Sequence, residues 1–167
     1  VPQGVKNAIA AAAERADRYP DPLCRSLCRK LAAHEQVPQS YVLCGNGAAD
    51  LIFRGVLARR PRRALLTAPA FAEYEAALTA CGCQVERYLR REDNQCRLEE
   101  DFLEASGPGV EMVFRCEPNN PTGVTSPREL LLQVAERCAQ CGALLMLDEC
   151  VGDFLEHPED HTLKGAL

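Results

Sequence analysis

The sequence predicts an α/β protein, a three-layer α/β/α arrangement around a mostly parallel sheet. Three observations carry this expectation. Continuous apolar runs, such as Val110-Glu-Met-Val-Phe-Arg-Cys116 and Ala143-Leu-Leu-Met-Leu147, read as strands buried on both faces, as parallel strands are. Helix-like stretches alternate with these runs, so crossover helices join successive parallel strands. Polar, turn-forming groups gather at the C-terminal ends of the runs, where open α/β sheets bind ligands.

Each element follows from local signals. The Ala-rich stretch Ala8–Ala13 predicts a helix near 4–15. A second helix is expected near 22–35, with Pro22 in its first turn. Val42-Leu-Cys-Gly-Asn-Gly-Ala48 reads as a short strand or turn entering a helix near 47–59. A strand at 63–68 leads through Pro69 to a helix near 72–81, in which Phe71, Tyr74 and Leu78 have helical spacing. A strand at 83–89, a helix at 99–105 and a strand at 110–116 follow. Ser126-Pro127 suits an N-cap and first helical position for a helix at 127–141. The last strand is expected at 143–148.

Composition excludes several function classes. The chain has 167 residues, enough for one domain with a real core, and is 47% hydrophobic and 26% charged. Its formal net charge of -5 argues against a nucleic-acid surface. No apolar run approaches the ~20 residues of a membrane helix. The start, Val1-Pro-Gln-Gly-Val-Lys6, lacks a signal-peptide pattern, so a cytoplasmic location is expected. Arg59-Arg-Pro-Arg-Arg63 reads as a solvated loop, with a small anion patch as the alternative. The ten cysteines read as reduced, mostly buried thiols. Cys24 and Cys28 share a helix face, and Cys138 and Cys141 form a C-x-x-C. The three histidines, His34, His157 and His161, fall in no zinc-like spacing, so no metal is expected.

Two motifs carry chemistry. Glu117-Pro-Asn-Asn-Pro-Thr-Gly123 follows one buried strand and is built of turn formers. Asp148-Glu149 ends the next strand, so an amide and a carboxyl group are expected at the same sheet edge. Gly45-Asn-Gly-Ala48, entering a helix, lets backbone N–H groups approach an anion, with Asp50 one turn inward as helix-dipole support.

Taken together, Cys116–Gly123 and the Asp148-Glu149 strand end resemble the fold-type I enzymes that use pyridoxal 5′-phosphate (PLP), the aminotransferase class I/II superfamily. The resemblance implies that Asn120 hydrogen-bonds the cofactor's phenolic oxygen and that Asp148 pairs with its pyridinium nitrogen. It places Asn46, Gly47 and Ala48 at the cofactor phosphate and stacks Phe71 on the ring, beside the alternative that Phe71 is a core residue. Arg18-Tyr-Pro-Asp-Pro22 resembles a family motif in which the Tyr, here Tyr19, reaches the partner subunit's phosphate site, implying a homodimer.

Within the superfamily, Pro69–Leu78, Cys116–Gly123 and Leu147–Phe154 are most similar to the threonine-phosphate decarboxylases of cobamide synthesis. The expected substrate is therefore a small phosphorylated amino acid or amine. The histidinol-phosphate aminotransferases are near relatives, but they usually carry Tyr where this chain has Val151. Fold-type I enzymes need a Schiff-base Lys after the Asp strand. The lysines here are Lys6, Lys30 and Lys164, and none sits in that pattern. Residues 1–167 are thus expected to be a partial PLP-binding large domain: the N-terminal segment and first half of the sheet, without the small C-terminal domain and inactive alone. The alternative is a non-catalytic domain that keeps the fold.

Overall fold

The computed structural model describes residues 1–166. It divides into two compact units, Val1–Gly45 and the chain from Asn46 onward. In the first unit, α1 (Gln3–Ala13) buries no residue, so its helicity rests on its Ala-rich composition. Helix α2 (Arg25–Glu35) buries Cys28 and Ala32, four apart on one face. It begins three residues later than Pro22 suggested. The Asp21 carboxylate accepts the N–H groups of Leu23 and Arg25, at 3.2 and 2.9 Å, and closes a turn before the helix.

The second unit contains β1 (Arg63–Ala68), β2 (Gln84–Leu89), β3 (Met112–Cys116) and β4 (Leu144–Asp148), all parallel, in the order β2-β1-β3-β4. Its helices are α3 (Gly47–Arg59), α4 (Ala72–Ala80), the single turn α5 (Phe102–Ala105) and α6 (Arg128–Cys141). Side chains alternate between two cores. Ala64, Leu66, Met112 and Phe114 pack with Ile52, Val56, Tyr74 and Leu78 from α3 and α4. Leu65 and Val113 pack with Phe102, Leu130, Val134 and Cys138 from α5 and α6. This is the expected three-layer arrangement. Helix α5 is shorter than the predicted 99–105 because the chain before it closes tighter turns, Phe102 N–H to Glu99 O and Leu103 N–H to Glu100 O.

The two sheet edges differ in kind. On β2, Arg87 pairs with Glu75 and Glu86 with Arg63, so charge lines that edge. The opposite edge, β4, is Leu-Leu-Met-Leu-Asp, and Leu144 stands 42% exposed. At the other end of the strands, residues of the basic run bond to strand ends while Arg59, Arg60 and Arg62 stay exposed. Arg62 pairs with Glu111 at 2.8 Å, Arg63 with Glu86, and Arg59 donates to the Gly142 carbonyl at 3.2 Å. The Arg62 backbone N–H, then its side chain, hold the Glu111 carboxyl below its ordinary pKa.

The loop after β3 is built on a buried ion pair. Arg115 and Glu117 have fully buried side chains 2.8 Å apart. Arg115 also donates to the Cys116 carbonyl at 2.6 Å and to Ser126 Oγ. Ser126 N–H donates to Glu117 Oε1 at 2.7 Å. This corrects the expectation that Ser126 caps α6. Its hydroxyl and N–H serve the ion pair, Pro127 takes the cap position, and the helix starts at Arg128. Burial pulls Arg115 down from its ordinary pKa and pushes Glu117 up, and the attraction between them opposes both shifts. Buried Arg90 is lowered to about 10, by burial first and by the Arg115 charge second.

Replacing Glu117 by Gln should cost about 3–5 kcal/mol in guanidinium unfolding, because it strands a buried guanidinium. Arg115→Met combined with Glu117→Leu should cost clearly less than Glu117→Gln alone. Equal costs would show that the pair does not compensate itself.

Candidate functional site

Three segments are joined by hydrogen bonds at the C-terminal edge of the sheet. Cys116 and Asp148 are register partners on β3 and β4, and Glu117 N–H donates to the Asp148 carbonyl at 2.8 Å. The loop after β3 therefore starts beside Asp148. Asn119 Nδ2 donates to the Pro69 carbonyl at 3.3 Å and to Thr122 Oγ1 at 2.9 Å. That ties the same loop to the turn after β1 that carries Phe71.

Adjacent Asn residues divide the work. Asn119 is buried at 2% exposure and holds the loop together, whereas Asn120 is exposed. The residue expected to meet a ligand is thus presented on a loop braced by its neighbour. Asp148 and Glu149 divide similarly. Glu149 accepts from Thr162 Oγ1 at 2.8 Å and from Leu163 N–H at 2.9 Å, anchoring the C-terminal segment.

Asp148 is held at both carboxyl oxygens. Oδ2 accepts from the Tyr74 hydroxyl at 2.7 Å, and Oδ1 from the Cys150 N–H at 3.0 Å. Tyr74 is itself fixed. Its ring stacks on Phe114 with centroids 5.0 Å apart, and the Phe71 ring meets it edge-on at 5.7 Å. Burial, then hydrogen bonding with Cys116 and Asp148, pushes the Tyr74 phenol far above its ordinary pKa. It therefore remains a proton donor to Asp148. The helical spacing of Tyr74 with Phe71 and Leu78 points only to a core role. The contact to Asp148 spans 74 residues, and no local pattern reports it.

Helix α3 brings the Gly-containing turn to the same apolar cluster, because Ala48, like Phe71, packs against the core that contains Tyr74 and Cys116. Gly47 has φ 83°, a left-handed conformation that favours glycine. The backbone N–H of Asn46 donates to Asp50 Oδ2 at 2.9 Å. Asp50, 3.7 Å from Arg54, thus closes the first turn rather than acting only on the helix dipole. Gly47 and Ala48 supply first-turn N–H groups, which have no acceptor within a helix.

Tyr19 is fully exposed in the first unit, which also carries Lys6 and Lys30. Lys164 belongs to the 3₁₀ turn Lys164–Ala166. Among the described residues, no three His, Cys, Asp or Glu side chains are grouped to hold a metal ion, and no helix is long and apolar enough to cross a membrane.

Tyr74 gives the site a pH signature. An unfolded tyrosine loses its proton near pH ~10. The folded pKa lies higher, so above pH 10 the unfolded chain releases a proton that the folded chain keeps, and stability falls as pH rises. Tyr74→Phe should remove up to about 1.4 kcal/mol per pH unit of that decline, measured by urea unfolding between pH 9 and 11. An unchanged slope in the variant would contradict the buried donor.

The model of the family described as aminotransferase class I and II matches residues 1–164. Threonine-phosphate decarboxylase from Salmonella typhimurium is 41% identical over 157 residues, covering 94% of this chain and 43% of that protein. A histidinol-phosphate aminotransferase from Desulfitobacterium hafniense is 32% identical over 160 residues, covering 92% of this chain and 44% of that protein. The crystal structure of histidinol-phosphate aminotransferase from Sinorhizobium meliloti in complex with pyridoxal-5′-phosphate superposes with a TM-score of 0.85 at 23% identity. It covers 96% of this chain and 43% of that one, and at this identity the likeness concerns the fold. The chain spans less than half the length of these relatives. With the four-stranded parallel sheet and the family match over nearly its whole length, the chain belongs to the aminotransferase class I and II family.

Proposed function

We propose that this chain is part of a PLP-dependent enzyme that decarboxylates L-threonine O-3-phosphate to aminopropanol phosphate. The carrying observation is Asp148, whose carboxyl is fixed at a strand end by Tyr74 and the Cys150 N–H, on the edge that bears Asn120. The donor set fits the cofactor. A carboxyl group suits a ring nitrogen, an exposed amide suits a ring oxygen, Phe71 offers an aromatic face, and the α3 N-terminus suits a phosphate. When bound, PLP supplies an electron sink for the bond broken at the substrate's α-carbon.

In this reading each residue has a defined task. Asp148 favours the protonated ring nitrogen, and Tyr74 keeps one carboxyl oxygen oriented so that the other edge can face the ring. Asn120 donates to the phenolic oxygen without adding charge. Gly47 and Ala48 meet the phosphate through their N–H groups. Asn46 contributes less there than its neighbours, because its N–H is already bonded to Asp50. Tyr19, from the partner subunit of a homodimer, completes the phosphate site, and its complete exposure is compatible with reaching outside its own chain. A cytoplasmic location accompanies this reading.

Decarboxylation is favoured over amino transfer by the 41% identity to threonine-phosphate decarboxylase and by Val151, where the aminotransferase pattern has Tyr. The second reading, histidinol-phosphate amino transfer, rests on the relative at 32% identity. The full-length protein carrying this chain should release CO₂ from O-phosphothreonine without 2-oxoglutarate. Turnover of histidinol phosphate that depends on 2-oxoglutarate would overturn the proposal.

We also infer that residues 1–167 are the first part of the large domain. The apolar β4 edge, unlike the charged β2 edge, has the chemistry of a strand that continues into more sheet. No lysine lies in the family's Schiff-base position, so PLP should bind this chain without a covalent anchor and without turnover. Borohydride reduction in the presence of PLP, followed by peptide mapping, should give no stoichiometric label. Stoichiometric labelling of Lys164 with substrate turnover would contradict this.

A further inference from the structure

We propose that Cys28 and Cys44 form a dithiol that small disulfides of the glutathione class close into an intramolecular cystine. Both residues lie in the first unit. Cys28 sits in the first turn of α2 at 6% exposure. Cys44 is half-buried, in the irregular segment between the 3₁₀ turn Gln39–Tyr41 and α3. Their sulfurs are 3.5 Å apart, at a sequence separation of 16 residues.

Bond formation requires the sulfurs to approach to about 2.0 Å. Cys28 is held by its helix. The Cys44 segment belongs to no helix or strand, so it can supply the movement. Reagent access favours the same order of events. Cys44 is the more accessible thiol, and Cys28 stands directly behind it as the resolving thiol. Cys138 of the C-x-x-C is 1% exposed, and burial pushes its thiol up to about 11.

The exchange balances as two displacements. The Cys44 thiolate attacks one sulfur of the reagent, breaking its S–S bond and releasing one thiol after proton uptake. The Cys28 thiolate then attacks the Cys44 sulfur of the mixed disulfide and expels the second thiol. Two electrons pass to the reagent, and the chain loses two thiol protons. The hydrogen bond with Cys28, first, and burial, second, raise the Cys44 thiol above its ordinary pKa, so the closure should accelerate as pH rises. Cys24 acts electrostatically on the Cys44 thiol and is the natural competitor.

Trypsin separates the three thiols, with Cys24 in 19–25, Cys28 in 26–29 and Cys44 in 31–54. The native 167-residue chain is incubated with oxidised glutathione, alkylated, and digested without reduction. The expected result is a loss of two of its ten titratable thiols, with peptide 26–29 joined to peptide 31–54. Cys44→Ser should abolish the cross-link, and Cys24→Ser should leave it unchanged. A cross-link to peptide 19–25, stable glutathione on Cys44 with Cys28 still free, or retention of all ten thiols would each overturn the proposal.

Discussion

The buried pair of Arg115 and Glu117 is the constraint on which the candidate site depends. A charged side chain at the end of a central strand is costly to bury, and it is kept only where every neighbour answers it. Here the answer comes from the loop that the strand leads into. Glu117 neutralises the guanidinium, the Cys116 carbonyl accepts from it, and Ser126 bonds both partners across the base of the loop. The backbone between residues 117 and 126 is therefore closed from below before any ligand arrives. Its outer part, with Asn120, projects from a fixed base.

A second set of contacts fixes the carboxyl group on the neighbouring strand. Tyr74 reaches Asp148 from α4, and its ring is clamped between Phe71 and Phe114. The apolar core and the polar site thus share a residue. The same ring that fills the α3–α4 core sets the orientation of the carboxyl oxygen. Asn119 links the two systems through the Pro69 carbonyl, so the turns after β1 and β3 and the end of β4 form one connected edge. Such preorganisation suits electrostatic work on a bound ring, because the charges and donors are in place beforehand.

Much of this was legible in the sequence, for physical reasons specific to each element. Buried parallel strands announce themselves as continuous apolar runs, and β1, β3 and β4 fall within two residues of their predicted bounds. Gly47 and the Asn-Pro-Thr-Gly turn are local signals of backbone shape. The less legible features are long-range. Ser126 looks like a cap until Arg115, 11 residues away, claims its hydroxyl. Asp21 delays α2 through side-chain bonds that compete with the Pro22 signal. Tyr74 and Asn119 act through partners 74 and 50 residues distant, beyond the reach of periodicity. The division between Asn119 and Asn120 follows from which side chain the fold turns inward, which two identical neighbours cannot reveal.

The most direct measurement is a crystal structure of the full-length protein that carries this chain, with PLP bound. The account predicts the pyridine nitrogen within hydrogen-bonding distance of Asp148, the phenolic oxygen within reach of Asn120 Nδ2, and the phosphate at the Gly47 and Ala48 N–H groups. Tyr74 should still donate to Asp148 in that structure. A cofactor bound away from this edge, or an Asp148 turned from the ring, would contradict the account.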